Sequence, residues 1–402
     1  MAKGVSALQG LIIAWLAEMV QLYGQEVLGQ SKEGSAKNPP RLSIIREGRI
    51  ERFCYFFLLE EFVNQPGENE QIPWGERQWQ FGTLIGVRAG MRTAGLIEHG
   101  SYADGTPLQS ALHVLAGVEA GPVLYVQAAV HGDEVNGVEV VRRVITGVDP
   151  KQMRGILIAV PVTNGLGFAL HQRRTPFDEE DMNRVWPGKA GGMTSQQLAY
   201  NLYYQVISLA QYVIDLHTAN SKTLLHVVYS HDDAGSRKLA EVFGVEVLLE
   251  EDVREEQKQA RFMGKLRNVL NMHGVAAITP ELGGNNYFEE ENIVLGVRGV
   301  TNVMKYLGML EGGIVPPARP QVTIYGSHLD KVRASRGGIW VAEVKAGERV
   351  RKGQGLGHIY SIRTFEVTER LSAPYDGFVL GTADVPIINI GDALVAICRL
   401  EK

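Results

Sequence analysis

Apolar residues in this chain fall into two textures. From about Val123 onward, short apolar runs alternate with stretches whose apolar positions recur every three or four residues. Runs at 123–130, 156–162, 212–216, 224–229, 245–249 and 276–280 have the length and β-branched content of buried strands. Between them, Leu198, Leu202, Val206 and Leu209 mark one helix face. Leu239, Val242 and Phe243 mark a second, and Phe262, Leu266, Val269 and Leu270 a third. Residues 135–146 and 302–310 read as two more helices, the latter closing the domain. The alternation predicts an α/β fold, a mostly parallel mixed sheet flanked by helices. After Gly312-Gly313 and Pro316, Pro317 and Pro320, short β segments follow one another with glycines at close intervals, the texture of a small all-β unit. Ahead of the α/β region, Leu8, Leu11, Ile12, Leu16, Met19 and Leu22 fit one amphipathic helix, and the polar stretch 30–41 reads as a loop. The chain thus divides into an N-terminal extension of unassigned role (1–82), an α/β domain (83–320) and a C-terminal β domain (321–402).

Composition narrows the function classes. Forty Lys plus Arg against 45 Asp plus Glu leaves a net charge of −5, which argues against a nucleic-acid binder held by bulk positive charge. The two cysteines, Cys54 and Cys398, form no C-x-x-C pair, so a disulfide framework and a thiolate zinc site are both excluded and a reducing compartment fits. The early apolar stretch 11–17 stops at Glu18, far short of the ~20 residues that span a bilayer. A soluble, cytoplasmic protein with no membrane partner is the expectation. Glycine is in excess, 46 of 402 residues, which implies many sharp turns.

Candidate chemistry sits at the ends of the predicted strands. The run at 123–130 leads into His131-Gly132-Asp133-Glu134. In open α/β sheets ligands bind outside the carboxyl ends of the strands, so residues emitted there are well placed. An H-x-x-E pair at such a turn can put an imidazole nitrogen and a carboxylate oxygen on one metal ion. Alone, it is also the pattern of a solvated turn with a capping glutamate. The strand 212–216 ends in His217, and alternation puts Asp215 and His217 on one face, so a third ligand is available from a separate strand end. Residues 276–280 deliver Glu281 in the same way. Two histidines and a carboxylate as ligands, with a separate glutamate as base, is a hydrolytic zinc arrangement. Between these strings, residues 173–188 are too polar and proline-punctuated for a core element. Their arginines could hold a carboxylate bidentately while Asn183 donates through its amide, the plain alternative being a solvated loop with ion pairs.

Four strings occur in order: His131-Gly132-Asp133-Glu134, Asp181-Met182-Asn183-Arg184 followed by Pro187-Gly188, Asp215-Leu216-His217-Thr218, and Pro280-Glu281-Leu282-Gly283. Together they resemble the succinylglutamate desuccinylase/aspartoacylase family, within the wider group of zinc carboxypeptidase-like enzymes. The resemblance runs from about Gly95 to the C-terminus. It implies one zinc ion (Zn2+) per subunit, held by His131, Glu134 and His217, with Glu281 as general base. It also implies Asn183 and Arg184 as grips on a substrate carboxylate, and an upstream arginine that polarises the scissile carbonyl. Arg173 and Arg174 both fit that last role. Arg173 is preferred because the family often has an arginine two residues before Thr-Pro, which leaves Arg174 to substrate binding. Met182 stands where the family more often has leucine. The implied reaction is hydrolysis of the amide of a small N-acylated amino acid or related compound by a zinc-bound water.

The C-terminal domain resembles the barrel-sandwich domains of biotinyl and lipoyl carriers, with turns at 344–353 and 373–377. Those carriers present a modifiable lysine where this chain has Ile362-Arg363-Thr364-Phe365-Glu366-Val367. A structural role, or one in forming a homo-oligomer, is therefore expected. Met91, just ahead of the region of resemblance, is a second candidate start. Two other functions stay open: a zinc carboxypeptidase or peptide amidase on short peptides, which shares every motif, and a binding protein with a vestigial site, against which the intact ligand set and Glu281 count. H-E-x-x-H, G-x-S-x-G and G-x-x-x-x-G-K-[ST] are all missing from the sequence.

Overall fold

The computed structural model describes residues 73–219, 222–252 and 264–399. The helix expected around residues 8–22, the loop at 30–41 and the Phe262 position lie outside them. A hairpin, β1 (Gln78–Phe81) and β2 (Leu84–Arg88), precedes a long antiparallel pair, β3 (Met91–Ser101) and β4 (Pro107–Ala116). Next come β5 (Glu119–Ala128), α1 (Asn136–Gly147), β6 (Arg154–Val160), the short α2 (Gly165–Ala169), α3 (Thr194–Gln205) and β7 (Tyr212–Leu216). Then follow β8 (Lys222–Thr223), β9 (His226–Ser230), α4 (Ala234–Phe243), β10 (Val247–Glu251), α5 (Leu266–Met272), β11 (Ala276–Glu281), α6 (Glu290–Tyr306) and β12 (Val322–Tyr325).

Nine of these strands make one sheet in the order β12-β10-β9-β11-β7-β5-β6-β4-β3. Five of its eight pairings are parallel, as the apolar runs predict, and the other three are antiparallel. Each predicted run is a strand, with its ends displaced by a few residues. Because successive side chains point to opposite faces, Leu124, Val126 and Ala128 of β5 enter one apolar layer with α1, α4 and α6, while Val123 and Tyr125 enter the other with α3 and α5. The strands β3, β4 and β12 carry no clear apolar signal. β3 is the sheet edge and keeps most of its side chains in solvent, so burial did not select an apolar pattern along it.

The closing helix differs from the expectation of 302–310. It begins at Glu290, and its N-terminal half is disguised by two glycines. A Cβ on Gly299 would lie 2.3 Å from the Phe243 ring, and one on Gly296 would lie 2.7 Å from Val140. Both glycines admit close helix-on-helix packing, which outweighs their poor helix propensity.

Beyond the proline-rich stretch lie β13 (Leu329–Arg333), β14 (Gly338–Ala342), β15 (Arg349–Val350), β16 (Gly355–Tyr360), β17 (Val367–Ser372), β18 (Gly377–Thr382), β19 (Ile387–Ile388) and β20 (Ala393–Arg399). They form two antiparallel sheets, β13-β20-β18-β15 and β17-β16-β14-β19, over a core that includes Trp340, Leu356, Ile359 and Ile397. The two parts of the chain are stitched together. β8 adds to β18, and Val228, Val247 and Leu249 share an apolar cluster with Leu380 and Cys398. Cys398 is a free thiol whose pKa burial pushes up to about 12, so it is an inert core residue.

A chain starting at Met91 would lack Phe81, Leu84 and Val87, which are buried in the second layer. Among the described residues, no helix is long and apolar enough to cross a membrane.

One buried group makes the fold acid-sensitive. His99 of β3 is 7% exposed and hydrogen-bonds Ser110 at 2.9 Å, and burial lowers its pKa from 6.5 to about 4. The unfolded chain binds the proton more readily than the folded one, so this group's stabilising effect is full above pH 6.5 and is lost as pH falls toward 4. Two and a half units correspond to about 3 kcal/mol. His99→Gln is expected to flatten the fall in stability between pH 7 and pH 4 relative to the wild type, as read by urea unfolding at several pH values.

Candidate active site

The strand ends converge as topology requires. β5, β7 and β11 are neighbours in the sheet, and their carboxyl ends emit His131, His217 and Glu281 on one edge. A sharp turn brings His131 over that edge. Ala129 adopts φ +48°, an uncommon conformation for a residue with a Cβ, and its carbonyl is held by Asn164 N–H at 2.9 Å. The following Gly132 is fixed by space. A Cβ there would lie 1.9 Å from the carbonyl carbon of Gly167 and 2.2 Å from the nitrogen of Phe168, in α2. On the other side, His217 N–H donates to the Pro280 carbonyl at 2.9 Å and Leu282 N–H to the His217 carbonyl at 2.8 Å, bracketing Glu281 beside His217. Asn136 at the start of α1 clamps the turn after β11, donating to Leu282 O at 2.7 Å and accepting from Glu289 N–H at 3.0 Å.

At the centre lies Glu134, 1% exposed. Its Oε1 is 2.6 Å from His131 Nδ1, and its Oε2 is 2.8 Å from His217 Nδ1; the two Nδ1 atoms are 3.2 Å apart. Thr218 N–H also donates to Oε2 at 3.0 Å. The far nitrogen of each ring meets an aspartate: His131 Nε2 is 3.0 Å from Asp181 Oδ1, and His217 Nε2 is 3.0 Å from Asp215 Oδ2. A ring that gives its Nε2 proton to a carboxylate turns an Nδ1 lone pair inward. Three electron-rich faces therefore meet at one buried point. The side chains of His131, Glu134 and His217 can hold a metal ion, their ligand atoms lying within 4.8 Å of one another.

Electrostatics agree. Burial raises the Glu134 pKa, but the charges of His131 and His217 and their hydrogen bonds to it outweigh burial and hold the carboxylate well below its usual range. Burial lowers both histidines, yet Glu134 with Asp181 raises His131, and Asp215 with Glu134 raises His217 well above the ordinary value. The site asks for positive charge between the rings, which a proton or a metal ion can supply.

Around this centre the polar loop is ordered by Asp181, which also accepts from Asn183 N–H at 2.9 Å and from Arg173 Nη2 at 3.0 Å. Arg173 Nη1 reaches to 3.4 Å from Glu134 Oε1. Arg174 is directed elsewhere, donating to the Glu179 carbonyl at 2.6 Å within its own loop. Asn183 accepts from Leu266 N–H at 3.1 Å through Oδ1, which leaves its NH2 group facing His217 at 3.4 Å. Arg184 Nη1 donates to the Asn183 carbonyl at 2.8 Å and lies 3.8 Å from Asp181 Oδ2. Glu281 is half-buried, and its Oε2 is a buried acceptor with no hydrogen-bond partner. His226, an apolar-strand histidine, is taken up by the Leu224 carbonyl at 2.9 Å.

Sequence reasoning assigned no role to Asp181, although it opens the Asp-Met-Asn-Arg string, nor to Lys331 of β13. Lys331 is exposed on β13, where it lies within reach of the charges of Glu281 and Glu251 and beside Arg333. No local pattern marks that lysine; only the tertiary fold brings it there.

Comparison with known proteins agrees with this architecture. Residues 120–307 match the family model of the succinylglutamate desuccinylase/aspartoacylase catalytic domain. That segment is similar to the catalytic domain of this family. The N-alpha-acetyl-L-2,4-diaminobutyric acid deacetylase of Halomonas elongata is 24% identical over 296 residues, spanning 70% of this chain and 83% of that protein. A succinylglutamate desuccinylase/aspartoacylase structure from Rhodobacter sphaeroides superposes with a TM-score of 0.68 at 24% identity, covering 77% of this chain and 96% of its own. The product-bound ectoine utilization protein EutE (DoeB) of Ruegeria pomeroyi gives 0.69 at 21% identity, covering 76% and 94%. The matched segment carries the His131-Glu134-His217 cluster at the carboxyl edge of its sheet.

Gly132→Ala tests how tightly this geometry is set. The added methyl is expected to destabilise the protein by about 1–3 kcal/mol by pushing α2 away, and to abolish stoichiometric metal binding. Thermal unfolding and metal analysis of the same preparation check both.

Proposed function

We propose that this protein is a zinc-dependent amidohydrolase that removes the acyl group from a small N-acylated amino acid or a related amide. The observation that carries this reading is the meeting of the His131, Glu134 and His217 ligand atoms beside the unpartnered Glu281 carboxylate oxygen. Two imidazoles and one carboxylate suit zinc and leave a position for water, as in catalytic sites. The names of its relatives, desuccinylase, aspartoacylase and deacetylase, support the same chemistry.

Bound zinc would bring the pKa of a water it holds from 15.7 toward about 7 and polarise a carbonyl. The remaining work falls to the chain. Glu281 is the base: its free oxygen takes the proton from the attacking water and passes it to the leaving amine. Arg173, anchored by Asp181, presents its guanidinium to the carbonyl oxygen as negative charge develops there. Asn183, through its NH2 group, and Arg184 bind the carboxylate of the amino-acid part. Arg174, engaged within its own loop, holds that loop in shape rather than gripping substrate. Lys331 of the C-terminal domain lies within electrostatic reach of Glu281.

Glu281→Gln keeps the volume and removes the base. It is expected to bind zinc as the wild type does and to lose about 10²–10⁴-fold in kcat; retained activity sinks the assignment of Glu281. The assay is a panel of N-acetyl, N-succinyl and N-formyl amino acids beside dipeptides, run before and after chelation and zinc add-back. Turnover of dipeptides alone would replace the deacylase reading with a peptidase one.

A further inference from the structure

The sheet behind His217 holds a line of polar groups that the proposed reaction does not use. Tyr125 and Gln127 lie two residues apart on β5, and the parallel pairing sets Gln127 directly beside Asp215 of β7. All three are at most 1% exposed, within the layer that otherwise packs Val213, Ile158 and Ala277. The Tyr125 hydroxyl donates to Gln127 Oε1 at 3.0 Å, Gln127 Nε2 donates to Asp215 Oδ1 at 2.8 Å, and Asp215 Oδ2 faces His217 Nε2 at 3.0 Å.

The line has a direction. A phenol has one proton to give, and by giving it to the glutamine oxygen Tyr125 decides which way round the amide lies. The amide then points its NH2 at Asp215, which is left as an acceptor on both oxygens. Asp215 can only be satisfied by a proton on His217 Nε2, and His217 then turns a lone pair on Nδ1 toward Glu134 and His131. His131 has no such backing: its aspartate, Asp181, sits in the polar loop with Arg173.

We propose that Tyr125 and Gln127 are positioning residues that act through Asp215 to fix the tautomer and ring orientation of His217 for metal binding. This rests on the metal reading above. Groups outside the ligand set typically carry 10–100-fold in metal affinity, and Gln127, one step further out, is assigned the lower part of that range.

The test uses Tyr125→Phe, Gln127→Leu and the double variant in the full chain. Zinc dissociation constants come from competition with a chromogenic chelator, and the melting temperature of each metal-free protein is taken alongside. Zinc affinity is expected to fall about 3-fold in Tyr125→Phe and about 10-fold in Gln127→Leu. The double variant should be no weaker than Gln127→Leu, because the two residues act in series. The visible band of the cobalt-loaded protein should shift in both single variants. Unchanged zinc constants, with any loss confined to metal-free melting, would overturn the proposal, and so would losses that multiply in the double variant. Tyr125→Phe is isosteric and decides the matter if Gln127→Leu fails to fold. A wild type that binds no zinc overturns the metal reading as well, a result distinct from a tight wild type with unaffected variants.

Discussion

An ionised carboxylate with 1% exposure is the constraint around which this domain is organised. Taking Glu134 out of water costs several kcal/mol unless its charge is met on every side. Its partners come from three parts of the chain: His131 from the same turn, His217 and the Thr218 amide from the end of β7, and Arg173 from the polar loop. A fold that failed to bring β5 and β7 side by side would strand that charge. Site assembly and sheet topology are therefore one requirement, and the order β11-β7-β5 at the sheet's centre satisfies it.

The parts that were legible in the sequence are those where one physical rule acted alone. Strands buried on both faces gave unbroken apolar runs, so the six central strands could be read directly, and the residues just past three of them were His131, His217 and Glu281. Where two rules compete, the pattern fades. The first half of α6 hides behind Gly296 and Gly299, because close packing on Val140 and Phe243 required residues that also mark loops. β3 is an edge strand and needs no apolar periodicity. Of the two adjacent arginines, the residue pattern itself fits both, while the fold sets Arg173 at the centre and spends Arg174 on a loop carbonyl.

Asp181 and Asp215 illustrate a different limit. Both stand inside the motifs, yet their work is to hold a histidine, and spacing along the chain does not reveal that. Asp181 lies fifty positions from the ring it binds. Asp215 lies two positions from His217, where strand alternation puts them on one face, but its second partner, Gln127, comes from the neighbouring strand. Register between β5 and β7 is what couples them. A one-residue slip of that pairing would turn Gln127 and Tyr125 to the opposite layer and leave Asp215 Oδ1 without its donor in a dry core.

The C-terminal domain enters the same argument through its attachment. The chain leaves His217 and, after a short connection, becomes β8, which pairs with β18 of the other part. Past the proline-rich stretch it returns as β12, the edge strand beside β10, before departing into β13 with Lys331. These connections and a shared apolar cluster hold the C-terminal domain against the α/β sheet. The same attachment brings Lys331 within electrostatic reach of Glu281. The turn at 362–367 between β16 and β17 carries no lysine, so what the C-terminal domain contributes to this fold is the attachment itself.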